Sequence, residues 1–140
     1  MSWRLHFQSK SMYDPVVMEA ELADLDDIEQ ERELESGGRF VAALLEEQLP
    51  GKGFPVDFIV REDWGWHVEI TDPVCRLAVG CGYSGEGDHG LHCFVMPDRP
   101  RLWHLFKRAE VSERIDALKQ AVEHILRDSG QVSGLQWLED

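Results

Sequence analysis

The residues best suited to chemistry lie in the second half of the chain. Gly80-Cys81-Gly82-Tyr83-Ser84-Gly85 has the G-x-G-x-x-G spacing that lets a backbone approach a pyrophosphate. That fingerprint works by aiming the N-terminus of a following helix at the phosphates. Here Glu86-Gly87-Asp88-His89-Gly90 follows, a loop whose two carboxylates would repel a nucleotide. A connection between two strands, with glycine supplying positive φ angles, is the stronger reading. The overlapping Gly82-Tyr83-Ser84-Gly85-Glu86 falls one glycine short of a nucleophile elbow. It also sits between strands rather than between strand and helix, so serine-hydrolase chemistry has no support.

Asp88, His89, His92 and Cys93 lie close together, and Cys75 or Cys81 could approach from a neighbouring strand. A zinc or iron site would need ligands that converge. H-x-x-H-C is not a standard ligand spacing, and residues 92 and 93 of one strand face opposite sides. The sequence therefore predicts a buried Cys93 with His92 on the solvent side, and no metal or cofactor is assigned.

The third candidate is the central run Glu62-Asp63-Trp64-Gly65-Trp66-His67-Val68-Glu69-Ile70, which holds two of the five tryptophans. Its carboxylate pair cannot bracket a substrate, because adjacent residues of a strand diverge. Trp64 and Trp66, two positions apart, are expected to share one sheet face, with His67 and Glu69 on or near the other depending on any bulge at Gly65. Core packing is the first reading of this pair. The alternative is a partly exposed aromatic surface that anchors a ligand or a protein.

These residues must be positioned by the elements around them. Trp3, Leu5 and Phe7 alternate with Arg4, His6 and Gln8, the period-two pattern of a half-buried strand. Ser9-Lys10-Ser11 and Asp14-Pro15 read as a turn, with Met18–Leu22 as a hairpin partner. The stretch from Asp24 to Glu35 is undecided between a helix and a mobile acidic loop. Ser36 is expected to cap a helix that buries Phe40, Val41, Leu44 and Leu45 and ends at Pro50, Gly51 and Gly53. Phe54–Val60 reads as an edge strand or lead-in, with Val56, Phe58 and Val60 on one side. Trp64–Ile70, Val74–Val79 and Leu91–Met96 read as an antiparallel meander. Leu102–Phe106 reads as a short helical turn.

The clearest helix begins at Ser112 as N-cap. Its Ile115, Leu118, Ala121, Val122, Ile125 and Leu126 recur every three or four residues, and Gly130 lies past its end. Val132–Leu138 returns as a last strand. The expected fold is one α+β domain over residues 1–140, an antiparallel sheet of about five to six strands with two main helices packed on one face.

Composition sets what such a domain can bind. Hydrophobic residues make up 43% and charged ones 29%, an ordinary folded chain. Three cysteines without CxxC spacing and no leader-like N-terminus or long apolar run predict reduced thiols, a cytoplasmic setting and no membrane contact. The net charge of -13 excludes nucleic acid, whose phosphates would be repelled, and favours a basic protein partner. Between Asp14 and Glu35 ten acidic residues meet one basic residue, leaving only -4 for the other 118.

The segments Glu62-Asp63-Trp64-Gly65-Trp66, Val79-Gly80-Cys81-Gly82 and Cys93-Phe94-Val95-Met96-Pro97 together resemble a group of small acidic bacterial proteins of uncharacterised function. The resemblance covers about the last 90 residues and brings no activity, cofactor or site residue with it. The expectation is thus a non-enzymatic acidic binding module, monomer or dimer, of the immunity-protein or inhibitor type. Glu62, Asp63, Trp64, Trp66, Asp24, Asp26, Asp27 and Glu31 are its partner-binding candidates. The first alternative is a small-ligand or metal-binding protein or an enzyme using His89, His92 or Cys81 around residues 80–93, and the second an export chaperone.

Overall fold

A computed structural model describes residues 3–13, 26, 37–73, 76–85, 89–98 and 108–138. Six strands form one antiparallel sheet: β1 (Arg4–Gln8), β2 (Val56–Glu62), β3 (Gly65–Ile70), β4 (Arg76–Tyr83), β5 (Gly90–Asp98) and β6 (Ser133–Leu138), in the order β2-β3-β4-β5-β1-β6. Three α-helices accompany them among the described residues: α1 (Lys10–Tyr13), α2 (Arg39–Gln48) and α3 (Arg108–Asp128). The α+β class and the single antiparallel sheet agree with the sequence pattern. No helix among the described residues is long and apolar enough to cross a membrane.

Strand alternation selects the face that becomes core. Leu5 lies opposite Cys93 and Phe7 opposite Leu91, Cys81 opposite both Cys93 and Trp66, and Val79 opposite both Val95 and Val68. These side chains form one cluster with Val41, Ala42 and Leu45 of α2 and with Val111, Ile115, Leu118, Val122, Ile125 and Leu126 of α3. Removing such a set of side chains from water is the main driving force of the fold.

Helix ends are set by specific contacts. The Oγ of buried Ser9 accepts the Met12 N–H at 3.2 Å, capping the single turn of α1 and placing Met12 in the core. The predicted turn at Ser9-Lys10-Ser11 is thus a helix start. The predicted hairpin partner Met18–Leu22 lies outside the described residues, and both edges of β1 are taken, by β5 and β6. Ser36 also lies outside them, and the N-cap of α2 is Gly38, at φ 95°. A Cβ at Gly38 would stand 2.3 Å from the carbonyl oxygen of Cys81, so glycine is required by both backbone and neighbour. Leu49, a turn at Pro50–Lys52 and Gly53 at φ 91° end this helix as its sequence predicts.

Helix α3 starts one turn before the predicted Ser112 cap, which lies within it. Its C-terminal half matches the pattern: Gly130 follows at φ 67°, and Arg127 pairs with Glu123 at 3.6 Å. Arg114 ties this helix to the sheet. Its Nη2 and Nε donate to the Asp72 carboxylate at 2.7 and 3.0 Å, and its guanidinium lies 4.8 Å from the Phe54 ring centroid. The Asp72 side chain is wholly buried, and the Arg114 guanidinium offsets part of the cost of that burial.

Two strands depart from their sequence patterns. The pairing of β2 with β3 shifts between Val56 and Phe58, so one extra residue sits at Asp57. Val56 and Ile59 therefore face the core while Phe58 and Val60 face out, and the predicted common side for Val56, Phe58 and Val60 is broken. Strand β4 runs through Gly80, Cys81, Gly82 and Tyr83, where a glycine turn was predicted. Among the glycines of that motif only Gly85 takes a positive φ, of 74°. Leu102–Phe106 lies outside the described residues.

Two stability outcomes follow from these contacts. Arg114→Ala removes the ion pair to the buried Asp72 carboxylate and is expected to lower stability by about 3 kcal/mol, read as a lower urea midpoint. Gly38→Ala is expected to lose about 2 kcal/mol or more through its left-handed backbone and the Cys81 carbonyl. Gly51→Ala, where a Cβ meets nothing within 4 Å, is its near-neutral control.

Candidate functional site

The face of the sheet opposite the core is built from the other set of alternating residues. One row across it runs Val60, His67, Gly80, Phe94, Arg4 and Leu138, and a second brings together Phe58, Glu69, Ala78 and Met96. A third brings Gly82, His92, His6 and Gln136 side by side. Two of these positions are glycine, and the gap at Gly80 is used. A Cβ there would stand 2.3 Å from the Phe94 ring, so that ring lies directly on the backbone of β4.

Aromatic groups extend from this point. Trp64 packs on Phe94 with ring centroids 5.0 Å apart, and His92 meets the same ring edge-on at 5.2 Å. Phe58 stacks on His67 at 6.2 Å, and His67 Nε2 lies 3.4 Å from the carboxylate of buried Glu69. The large apolar side chains that stay exposed among the described residues are Phe58, Val60 and Trp64, at 46%, 41% and 40%. All three belong to the β2–β3 hairpin, and the exposed carboxylates of Asp57, Glu62 and Asp63 stand among them in sequence.

The two central tryptophans thus part company. Trp64 lies in the turn between β2 and β3 and packs on the open side, whereas Trp66 lies in β3 opposite Cys81 on the core side. The predicted shared face fails because Trp64 precedes the strand and Gly65, at φ 150°, redirects the chain between them. Trp66 is half-buried, with the guanidinium carbons of Arg61 and Arg39 at 4.7 and 5.7 Å from its ring centroid. It packs and holds cations rather than joining the exposed surface. His67 and Glu69 do lie on the face opposite the core, Glu69 buried there.

Of the other predicted partner-binding residues, Glu62 and Asp63 are exposed beside Trp64, and Asp26 is exposed. Asp24, Asp27 and Glu31 lie outside the described residues. Phe58, Val60 and Phe94 were not singled out by sequence reasoning. A signal exists for two of them: Phe58 and Val60 share strand parity with Glu62, and a carboxylate ending an apolar row marks the solvent side of an edge strand.

Among the described ligand and metal candidates, Cys81 and Cys93 meet in the core while His89 and His92 lie elsewhere. His92 lies on the open face while Cys93 is buried in the core, as strand alternation dictates. His89 contacts the edge of Tyr13 at 5.3 Å and lines a hollow of about 440 Å³ with Lys10, Gln131 and Ser133. Asp88 lies outside the described residues. Among the described residues no three or more His, Cys, Asp or Glu side chains are grouped to hold a metal ion. His6 Nε2 lies 3.0 Å from Ser84 Oγ, a nucleophile-to-base distance. No carboxylate among the described residues contacts His6 as the orienting group that serine chemistry uses.

No known protein family, curated protein or solved structure matches the chain. The reading of function therefore rests on the geometry of this face and on the charge of the molecule.

Cys81, a residue of the ligand alternative, faces the core instead of the loop. It lies opposite Cys93, with the two sulfurs 3.8 Å apart and both side chains fully buried. The hydrogen bond shared with Cys93, then burial, then the charge of Cys93 push the Cys81 thiol well above its ordinary value. A raised pKa keeps the proton on in the folded state, so this contribution to stability is complete below about pH 8.5 and declines as pH rises beyond it. Urea denaturation across that range is expected to show the decline, which Cys81→Ala should reduce, and Cys81 and Cys93 are expected to resist Ellman's reagent until urea unfolds the chain.

Proposed function

We propose that the protein is a cytoplasmic, non-enzymatic acidic module that binds a basic protein, in the manner of an immunity protein or inhibitor, through its β2–β3 hairpin. The observation that carries this reading is the exposure of Phe58, Val60 and Trp64 together with Glu62 and Asp63 on one hairpin. Exposed aromatic side chains are the usual anchors of protein interfaces. They are also unfavourable to leave in water, and a surface that keeps them in a cluster marks an interaction site.

Charge supplies the second support. A net charge of -13 steers a basic partner toward the molecule and makes association salt-dependent. The carboxylates at the hairpin tip would then meet cations at the rim while Trp64 and Phe58 become desolvated at the centre. Held on Phe94, Trp64 is already oriented for such a contact, which lowers the ordering cost of binding.

Affinity capture from the source-cell lysate, with wild-type protein and a Phe58→Ser, Trp64→Ser variant immobilised in parallel, tests this reading. Both proteins carry the same charge, so general attraction for basic proteins cancels. A basic protein is expected on the wild type and lost from the variant, with each substitution costing about 2 kcal/mol, or about thirtyfold in Kd. Equal capture by the two proteins, or no basic protein at low salt, overturns the reading.

A further inference from the structure

Among the described residues strand β2 ends the sheet and pairs with β3 on one side only. A strand in that place presents a row of N–H and C=O groups on its outer edge, and proteins ordinarily blunt such an edge with charge, proline or a bulge. Here the bulge and the exposed carboxylate of Asp57 come at the start of β2, and the pairing from Phe58 to Glu62 is then regular. The stretch that remains has the regular register of a strand that could template another. Its outward row reads Phe58, Val60, Glu62, two apolar side chains and then a carboxylate.

Cross-strand neighbours on one face of a sheet interact in pairs, so this row specifies its complement. The complement is an extended segment with apolar side chains beside Phe58 and Val60 and a cation beside Glu62, close to Asp63 in the turn. A second copy of the chain would bring another charge of -13 to the same edge, whereas a basic segment would be attracted. We propose that the outer edge of β2 takes up an extended basic segment of the partner as a seventh strand. This inference rests on the basic-partner reading and adds the manner of contact, main-chain hydrogen bonds for affinity and alternate side chains for specificity.

The test uses a synthetic peptide in which valine, valine and arginine occupy successive same-face positions and threonine the positions between. Its binding to the full chain is followed by Trp fluorescence or calorimetry. Two analogues are N-methylated, one on the amides of odd positions and one on those of even positions, because successive amides of a strand point to opposite edges. Strand addition is expected to spare one analogue and weaken the other about tenfold or more, since only one set of amides faces β2. Val60→Lys, at an exposed edge position, is expected to abolish binding of the parent peptide.

Equal effects of the two methylation patterns, or no binding of the parent up to about millimolar, overturn strand addition. The capture experiment with the Phe58 and Trp64 variant is unaffected by that failure, so the two readings fall separately. Size-exclusion chromatography provides the last arm. A wild-type dimer that Val60→Lys converts to a monomer would make a second copy the occupant of this edge and overturn the basic segment.

Discussion

The carbonyl group of Cys81 is approached closely from two sides, and much of the molecule is arranged by that approach. A Cβ at Gly38 would stand 2.3 Å from its oxygen and one at Gly65 only 2.1 Å. Glycine at both places lets the first turn of α2 and the first residue of β3 come against the backbone of β4 where a side chain would force them away. The helix start, the hairpin start and the middle of the sheet are thereby fixed to one another. The partition of the tryptophans follows. Gly65 is the pivot after which Trp66 turns to the core, while Trp64 before it turns onto Phe94.

Much of this architecture could be read in advance where burial is one-sided and the chain regular. Leu5 and Phe7 in β1, and Ile115 through Leu126 in α3, occupy the core that their spacing predicts, because a slip of one position would expose the whole set. The glycines of β4 misled for a physical reason. Gly80 matches a turn by composition, but its lack of a side chain admits the Phe94 ring, which depends on a residue distant in sequence. The bulge at Asp57 was equally hidden, since a run of alternating apolar residues carries no mark of the one extra residue that reverses its second half. For the candidate site, the acidic and aromatic residues at the hairpin tip were visible by type. Which tryptophan faced outward was not, because that depends on Gly65 and its contact with β4.

Charge is distributed with the same logic as packing. Arg39 and Arg61 lie against Trp66, and Arg114 is held by Asp72 over Phe54, so several cations of this acidic chain are committed to internal contacts. A guanidinium over an aromatic face keeps its charge partly solvated while covering apolar surface. The exposed carboxylates at Asp57, Glu62 and Asp63 are thus left with few cations beside them on the hairpin. A surface of this kind is stable alone, since water solvates the carboxylates, and it gains most from a partner that brings cations without burying either sign unpaired.

The open face also shows why the hairpin is more than an exposed loop. A flexible tryptophan at a turn would lose rotamer freedom on binding and return part of its contact energy as entropy. Here the absence of a side chain at Gly80 lets the Phe94 ring sit down on β4, and that ring in turn supports Trp64. The support is a stack of three layers, backbone, ring and ring, each settled when the sheet forms. Gly80 and Gly65 therefore serve one purpose from two directions, the first making room for the platform and the second turning the chain so that Trp64 reaches it. The G-C-G segment that invited a nucleotide reading acts instead through the space that Gly80 leaves, which seats the Phe94 ring and, on it, Trp64.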